Sequence, residues 1–320
     1  MSSRIPASLL RTVYRLLTIV RPASGRSYPS QPAATVFPTE PARTPTATGS
    51  APIPRRIWSY WNTEVPDLVV RQCIANWHSQ CPGFEIHVVN NANLATHVPP
   101  AELPPGFAQL HPTKQSDWLR LYLVRHHGGY WLDATTLLTQ PLDWMERLRQ
   151  AHDAEFAGFF LQGYTQDARY PIVESWAFGA AAHAPFVCAW QEEFHRALIV
   201  QGAAPYLQAL QQQPEGMASL QGIPDPHYLL IHVTAQQVLR RHNAFRLALL
   251  KAEDTAFFYQ KSVRWKWYLL YPRLCLVPAE PHPAPLVKLR GGERRHFAEM
   301  FEQHGPAREG SLWQRACGDA

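Results

Sequence analysis

Cysteine is scarce in this chain: five in 320 residues, at positions 73, 81, 188, 275 and 317, odd in number, widely spaced and with no Cys-x-x-Cys pair. Neither a disulfide framework nor a zinc knuckle is indicated, and reduced thiols in a cytosolic setting fit best. Long hydrophobic runs are lacking as well. The longest uncharged, apolar-leaning stretch, residues 175–191, is broken by His183 and Pro185, so no spanning helix is expected. Basic side chains outnumber acidic ones only by 30 to 25, and no Lys/Arg block suggests a nucleic-acid arm. There is no repeat of fixed period. A Gly-x-Gly-x-x-Gly turn is also missing: Asn62-Thr-Glu-Val-Pro66 follows Trp61, which argues against a dinucleotide-dependent oxidoreductase.

What is present is a full supply of core residues. Hydrophobic side chains make up 46% of the chain, with 11 Trp, 12 Tyr and 14 Phe, enough to bury a globular interior and to exclude collagen, coiled coil and general disorder. Residues 1–21 form a basic amphipathic segment, with Leu9, Leu10, Val13, Tyr14, Leu16, Leu17 and Val20 at roughly helical spacing among Arg4, Arg11, Arg15 and Arg21. Such a segment suits peripheral contact with an anionic membrane; an inert tail is the alternative, and a cleaved signal is opposed by Arg11 and Arg15 within the apolar stretch. Residues 22–52, rich in Pro, Thr, Ser and Ala, have too few large apolar groups to offset their ordering entropy and are expected to be a flexible linker. The folded unit is then a single domain over 53–320.

Strands alternate with helices in its first half. Arg56-Ile-Trp-Ser-Tyr-Trp61 has the composition of a short aromatic strand, and Pro66 and Asp67 open a helix running to about Trp77. Phe84-Glu-Ile-His-Val-Val89 alternates apolar and polar residues before an Asn-Asn turn, and a helix over 115–127 meets Gly128-Gly129, after which Tyr130-Trp-Leu132 is a strand. Further helices are expected near 184–200, 203–213 and 226–242, with strands near 154–160 and 174–179. This order predicts an open, largely parallel sheet that binds its ligand beyond the carboxyl ends of its strands. Asp133 follows directly on such a strand. Asp117 and Arg120, at i and i+3 on the helix before it, share a face and would converge with Asp133 on one crevice; a simple surface ion pair and a turn cap are the alternatives.

The phrase Ser116-Asp-Trp-Leu-Arg120 through Gly128-Gly-Tyr-Trp-Leu-Asp-Ala-Thr135 resembles the signature of the capsular polysaccharide synthesis proteins, a branch of the glycosyltransferases with a DXD sugar-binding region. Ile53-Pro-Arg-Arg-Ile-Trp-Ser-Tyr-Trp61, Glu174-Ser-Trp176 and Tyr228-Leu-Leu-Ile-His232 are similar to other segments of that family. The resemblance implies a GT-A-type, Rossmann-like α/β fold with a mixed, largely parallel sheet and added helices. It also implies an enzyme that moves a sugar from a nucleotide-sugar donor, most often a UDP-sugar, to a glycan or lipid-linked acceptor. Retention of anomeric configuration and work at the inner face of a bacterial membrane complete that picture.

By the same resemblance Trp61 would stack on the base, Asp117 and Arg120 would hold the sugar and its phosphate, and Trp131 would belong to the donor site. Asp133 would take the place of the first DXD aspartate. Thr135 stands where the second aspartate would be, so a divalent Mn2+ or Mg2+ would be held by Asp133 and the Thr135 hydroxyl, helped by the diphosphate. Lys288 is a candidate for neutralising the departing diphosphate, with Ser311-Leu-Trp313 nearby in the chain, and Glu174 is the candidate carboxylate if a base assists. The 15 histidines offer no zinc-like spacing. A protein of the same fold that binds a nucleotide-sugar or carbohydrate without turning it over remains the alternative.

Overall fold

The computed structural model describes residues 6–20, 28, 33–37, 51–242 and 245–318. In chain order the strands are β1 (Ala34–Phe37), β2 (Arg56–Tyr60), β3 (Glu85–Val89), β4 (Gly129–Leu132), β5 (Thr136–Leu138), β6 (Phe156–Leu161), β7 (Ile172–Val173), β8 (Ala177–Ala180), β9 (Leu247–Lys251) and β10 (Leu286–Lys288). Eight of them make one sheet in the order β1-β9-β6-β8-β4-β2-β3, with β7 attached to β6. β2 is parallel to both β3 and β4, and β6 is parallel to β9, while β8 runs antiparallel between β4 and β6. Strands β2, β3, β4, β6 and β9 therefore point the same way, which is the mixed, largely parallel α/β sheet expected.

The local signals act as anticipated. Asp67 caps the helix Leu68–Gln80 by accepting from the Val70 N–H at 3.1 Å. The helix Pro112–His127 starts three residues earlier than expected, because Pro112 occupies its first turn and the His111 ring nitrogen accepts from the Thr113 N–H at 3.2 Å. It stops at Gly128 and Gly129, both at positive φ. A Cβ on Gly129 would lie 2.6 Å from the Arg56 carbonyl oxygen, so only glycine lets the chain reverse tightly enough to bring β4 beside β2.

Helices Pro112–His127, Pro185–His195 and Leu230–Arg241 cover one face of the sheet, where Trp118, Leu119, Trp190, Phe194 and Val233 share a core. Trp77, Leu142 and Met145, from the helices Leu68–Gln80 and Asp143–Ala151 and the turn between, fill the other face against Ile57, Tyr130 and Leu132. A further core joins Leu137, Val287, Leu274, Phe297 and Trp313 around the two-stranded pair β5 and β10.

The N-terminal segment forms the helix Ala7–Val20, whose Leu10 and Tyr14 are buried in that last core against the helix Trp267–Cys275. Its Leu9, Val13 and Leu16 stay exposed, and Arg4 and Arg21 lie outside the described residues. Parts of the stretch expected to be a linker are built into the molecule. Ala34–Phe37 adds β1 antiparallel to β9, and Tyr28 is buried edge-on to Phe258. The reason is local: Thr35, Val36 and Phe37 have β-branched and aromatic side chains that suit a sheet edge.

Candidate functional site

A cavity of about 840 Å³ opens over the carboxyl ends of β4, β6 and β9, where an open α/β sheet places its ligand. Leu161 ends β6, Glu253 follows β9, and Glu174, Ser175 and Trp176 precede the antiparallel β8. Asp133 leaves β4 in a turn that its own backbone closes: its N–H donates to Trp176 O at 2.7 Å and its carbonyl accepts from the Thr136 N–H at 3.0 Å. Of the residues expected at the site, Asp117, Arg120, Asp133, Glu174 and Lys288 line this cavity.

Arg120 is the hub of that wall. Its guanidinium lies 3.3 Å from Asp117 Oδ1 and 3.2 Å from Asp133 Oδ1, and donates to the hydroxyls of Ser116, at 3.1 Å, and Ser175. An i,i+3 ion pair on an open helix surface contributes a few tenths of a kcal/mol, but the Asp117 and Arg120 side chains are only 5% and 6% exposed, so the surface reading of this pair does not apply. Lys114 Nζ approaches Asp117 Oδ2 at 3.6 Å, and burial pulls the Lys114 ammonium below its ordinary pKa against the pull of that carboxylate. Lys288 Nζ closes the row, 3.3 Å from Asp133 Oδ2. Arg120 and Lys288 thus face Asp117 and Asp133 along the cavity wall, and Lys114, off the lining, also faces Asp117.

Burial alone would raise the Asp133 pKa. Arg120, Lys288 and a hydrogen bond from Trp131 outweigh it, so the carboxyl sits below its usual range and stays ionised at neutral pH. Glu174 faces His232: the ring Nε2 is 3.0 Å from Oε2, both side chains are under a tenth exposed, and His232 Nδ1 has no partner. Trp176 Nε1 and Arg120 Nε are likewise buried without a partner.

Three of the expected residues fall elsewhere. Trp131 is fully buried two residues before Asp133; the period of two puts both on one side of the chain, and the indole Nε1 donates to Asp133 Oδ1 at 3.0 Å. Its ring also lies 5.3 Å from the Arg120 guanidinium carbon, so it supports the site from behind and does not line the cavity. Trp61 ends beyond β2 with its N–H on Val89 O, and its ring is covered by Arg294 of the helix Gly291–His304, 5.2 Å away, outside the cavity lining. Thr135 is 7% exposed and also off the lining. Ser311 and Trp313 serve structure: Ser311 caps the helix Leu312–Cys317, and Trp313 is buried with its Nε1 on Gln72.

Asp133 and Thr135 do not fit a divalent cation in this arrangement. The Thr135 hydroxyl donates to Leu289 O at 2.8 Å and accepts from Lys288 Nζ at 2.6 Å, so the ammonium lies between the two oxygens that would be the ligands. A hard cation needs those lone pairs free at shorter range.

Of the rim, Tyr228 lies in a tract that the sequence resemblance had marked, and Trp265 had no signal in the sequence. Tyr228, 59% exposed, stands on one side of the mouth and Trp265, 37% exposed, on another. Arg264 and Trp265 hold φ of 53° and 61°, a left-handed pair unusual for bulky residues, and strain of this kind collects where a side chain must be aimed. Arg290 sits 4.8 Å from the Trp265 ring.

Fold and cavity together define an α/β protein with a cavity lined by charged and aromatic side chains beyond the ends of its parallel strands. Residues 42–197, just under half of the chain, match the family model of the capsular polysaccharide synthesis proteins. No curated protein matches the chain in sequence. Among solved structures, one described as the PaToxG glycosyltransferase is similar at 12% identity and a TM-score of 0.33, over 74% of this chain and 88% of its own. No helix among the described residues is long and apolar enough to cross a membrane.

Proposed function

We propose that this protein is a glycosyltransferase of GT-A type that moves a sugar from a nucleoside-diphosphate donor, a UDP-sugar first among them, to a glycan or lipid-linked acceptor in surface polysaccharide synthesis. The observation that carries the reading is the row Asp117–Arg120–Asp133–Lys288 in the wall of the cavity. Carboxylates accept from sugar and ribose hydroxyls, and the fixed fork of a guanidinium suits phosphate or sugar oxygens.

In this reading Asp117 and Asp133 hold hydroxyls of the donor, and Arg120 and Lys288 face its diphosphate. Trp131 keeps Asp133 in place. Glu174, tied to His232, is positioned to steer the acceptor hydroxyl, and attack from the leaving-group side would retain the anomeric configuration without a protein nucleophile. The base would stack on a rim aromatic, with Trp265 better placed than Trp61 because it lines the cavity. On the helix Ala7–Val20 the exposed Leu9, Val13 and Leu16, with Arg11 and Arg15 beside them, suit shallow insertion into the inner face of an anionic membrane, where lipid-linked acceptors lie.

A second reading, a nucleotide-sugar or carbohydrate-binding protein without turnover, draws on Thr135, whose hydroxyl is occupied by Leu289 and Lys288. Calorimetric titration of the full chain with UDP, GDP and CDP, beside Asp133→Ala, tests the donor site. Binding of one nucleoside diphosphate that weakens tenfold or more in the variant is expected. Equal binding by both proteins would remove Asp133 from the site.

A further inference from the structure

We infer that this cavity works without a divalent cation, the Lys288 ammonium standing in the place where one would be held between Asp133 and Thr135. The inference rests on the nucleotide-sugar reading above and adds to it the source of the positive charge that faces the diphosphate.

Lys288 is fixed there by the fold and is no loose surface side chain. It ends β10, which pairs antiparallel with β5 so that Lys288 lies opposite Thr136. Its backbone N–H donates to Ala256 O at 3.2 Å and its carbonyl accepts from Gln260 Nε2 at 2.7 Å. The residue is 9% exposed. Two of the three ammonium hydrogens are engaged by Thr135 Oγ1, at 2.6 Å, and Leu289 O, at 2.9 Å, and the third faces Asp133 Oδ2 at 3.3 Å.

The oxygens a metal would need already face cations and donors. Asp133 Oδ1 takes the Trp131 indole at 3.0 Å and the Arg120 guanidinium at 3.2 Å, Oδ2 faces Lys288, and the Thr135 hydroxyl both donates and accepts. A divalent ion at the usual oxygen distances from Asp133 and Thr135 would sit against the ammonium, and like charges in a shielded site repel strongly. The longest of the three ammonium contacts, the one to Asp133, is the one that a phosphate oxygen would share on binding.

In the transfer, the bond from the anomeric carbon to the distal phosphate oxygen breaks and its electron pair stays on that oxygen. The acceptor hydroxyl oxygen forms the new bond to the anomeric carbon, and its proton goes to the departing diphosphate. Glycoside and nucleoside diphosphate are the products. Lys288 and Arg120 face the negative charge that grows on the leaving oxygen, an interaction strongest in the transition state because the charges are fixed beforehand.

The test is titration of the full chain with UDP, GDP and CDP, in EDTA and then in Mn2+, for the wild type, Lys288→Met and Lys288→Arg, with thermal melting to confirm folding. For the nucleotide that binds, the wild-type affinity is expected to agree within threefold in EDTA and Mn2+. Lys288→Met is expected to lose tenfold or more in EDTA, and Lys288→Arg to keep most of the affinity. Wild-type binding that collapses in EDTA and returns with Mn2+ overturns the inference while leaving the nucleotide reading intact, and this arm does not depend on any variant folding. Lys288→Met binding like wild type in EDTA overturns it as well. Absence of binding by any nucleotide in both buffers removes the nucleotide reading and the inference with it.

Discussion

Replacing Arg120 by Met keeps the length of the side chain and removes its charge, leaving the Asp117 and Asp133 carboxylates facing a position where the guanidinium now sits 3.3 and 3.2 Å from them. Breaking a buried ion pair on one side typically costs about 3–5 kcal/mol. The lower end applies, about 3 kcal/mol, because Lys114 remains 3.6 Å from Asp117 and Lys288 remains 3.3 Å from Asp133, whose side chain is 26% exposed. The pH dependence has a definite sign. Asp133 is held below its ordinary pKa with Arg120 as the foremost opposing charge, so that stabilisation is fully present above the unfolded carboxyl pKa and is lost as pH falls through the lower native value.

Urea denaturation followed by tryptophan fluorescence should therefore show the deficit of Arg120→Met in full at pH 7 and a smaller deficit towards pH 3.5. Asp117→Asn combined with Arg120→Met should recover part of the loss, since one of the two carboxylates that Arg120 faced is gone. A deficit below about 1 kcal/mol at pH 7, the range of an exposed pair, would refute the account of Arg120 as the hub of the wall.

Two other predictions concern parts of the molecule outside that wall. Burial raises the Glu155 pKa to about 7 although its Oε1 accepts from the Phe186 N–H at 2.6 Å. A carboxyl raised in the native state stabilises fully only below its unfolded pKa and loses that stability as pH rises to 7, so Glu155→Gln should stabilise by about 1–3 kcal/mol at pH 8 and have little effect near pH 4, read by denaturation at both values. Replacing Leu9, Val13 and Leu16 together by Ser should abolish co-sedimentation with vesicles containing phosphatidylserine and leave thermal stability nearly unchanged, because those side chains are exposed while Leu10 and Tyr14 hold the helix to the protein; undiminished sedimentation would remove the helix from membrane contact.

The first half of the sheet was legible because its signals are local. Capping by Asp67, proline at the head of the helix Pro112–His127, two glycines at its end and a four-residue apolar strand together deliver Asp133 to the cavity from one continuous stretch of sequence. The i,i+3 spacing of Asp117 and Arg120 was enough to place them side by side. Lys288 was singled out only by resemblance, since its contact with Thr135 spans 153 residues and depends on pairing between two three-residue strands, too short to leave a pattern. β9 escaped notice because Leu247-Ala-Leu-Leu-Lys251 fits a buried helix as well as a strand. Trp61 and Trp131 show the limit of placing aromatics from sequence: an indole beside a strand end is as readily used to brace a neighbour as to meet a ligand. On the rim, Tyr228 was marked only by resemblance, and Trp265 comes from loop geometry that no periodicity encodes.

The most direct measurement is release of nucleoside diphosphate from UDP-, GDP- and CDP-sugars by the full chain, compared with Asp117→Asn under conditions where both are folded. The account predicts steady release from one nucleotide class, at least a hundredfold slower in the variant. Tight binding of a nucleotide-sugar with no release from any class, with or without oligosaccharide acceptors, would contradict catalysis and leave a binding protein in its place.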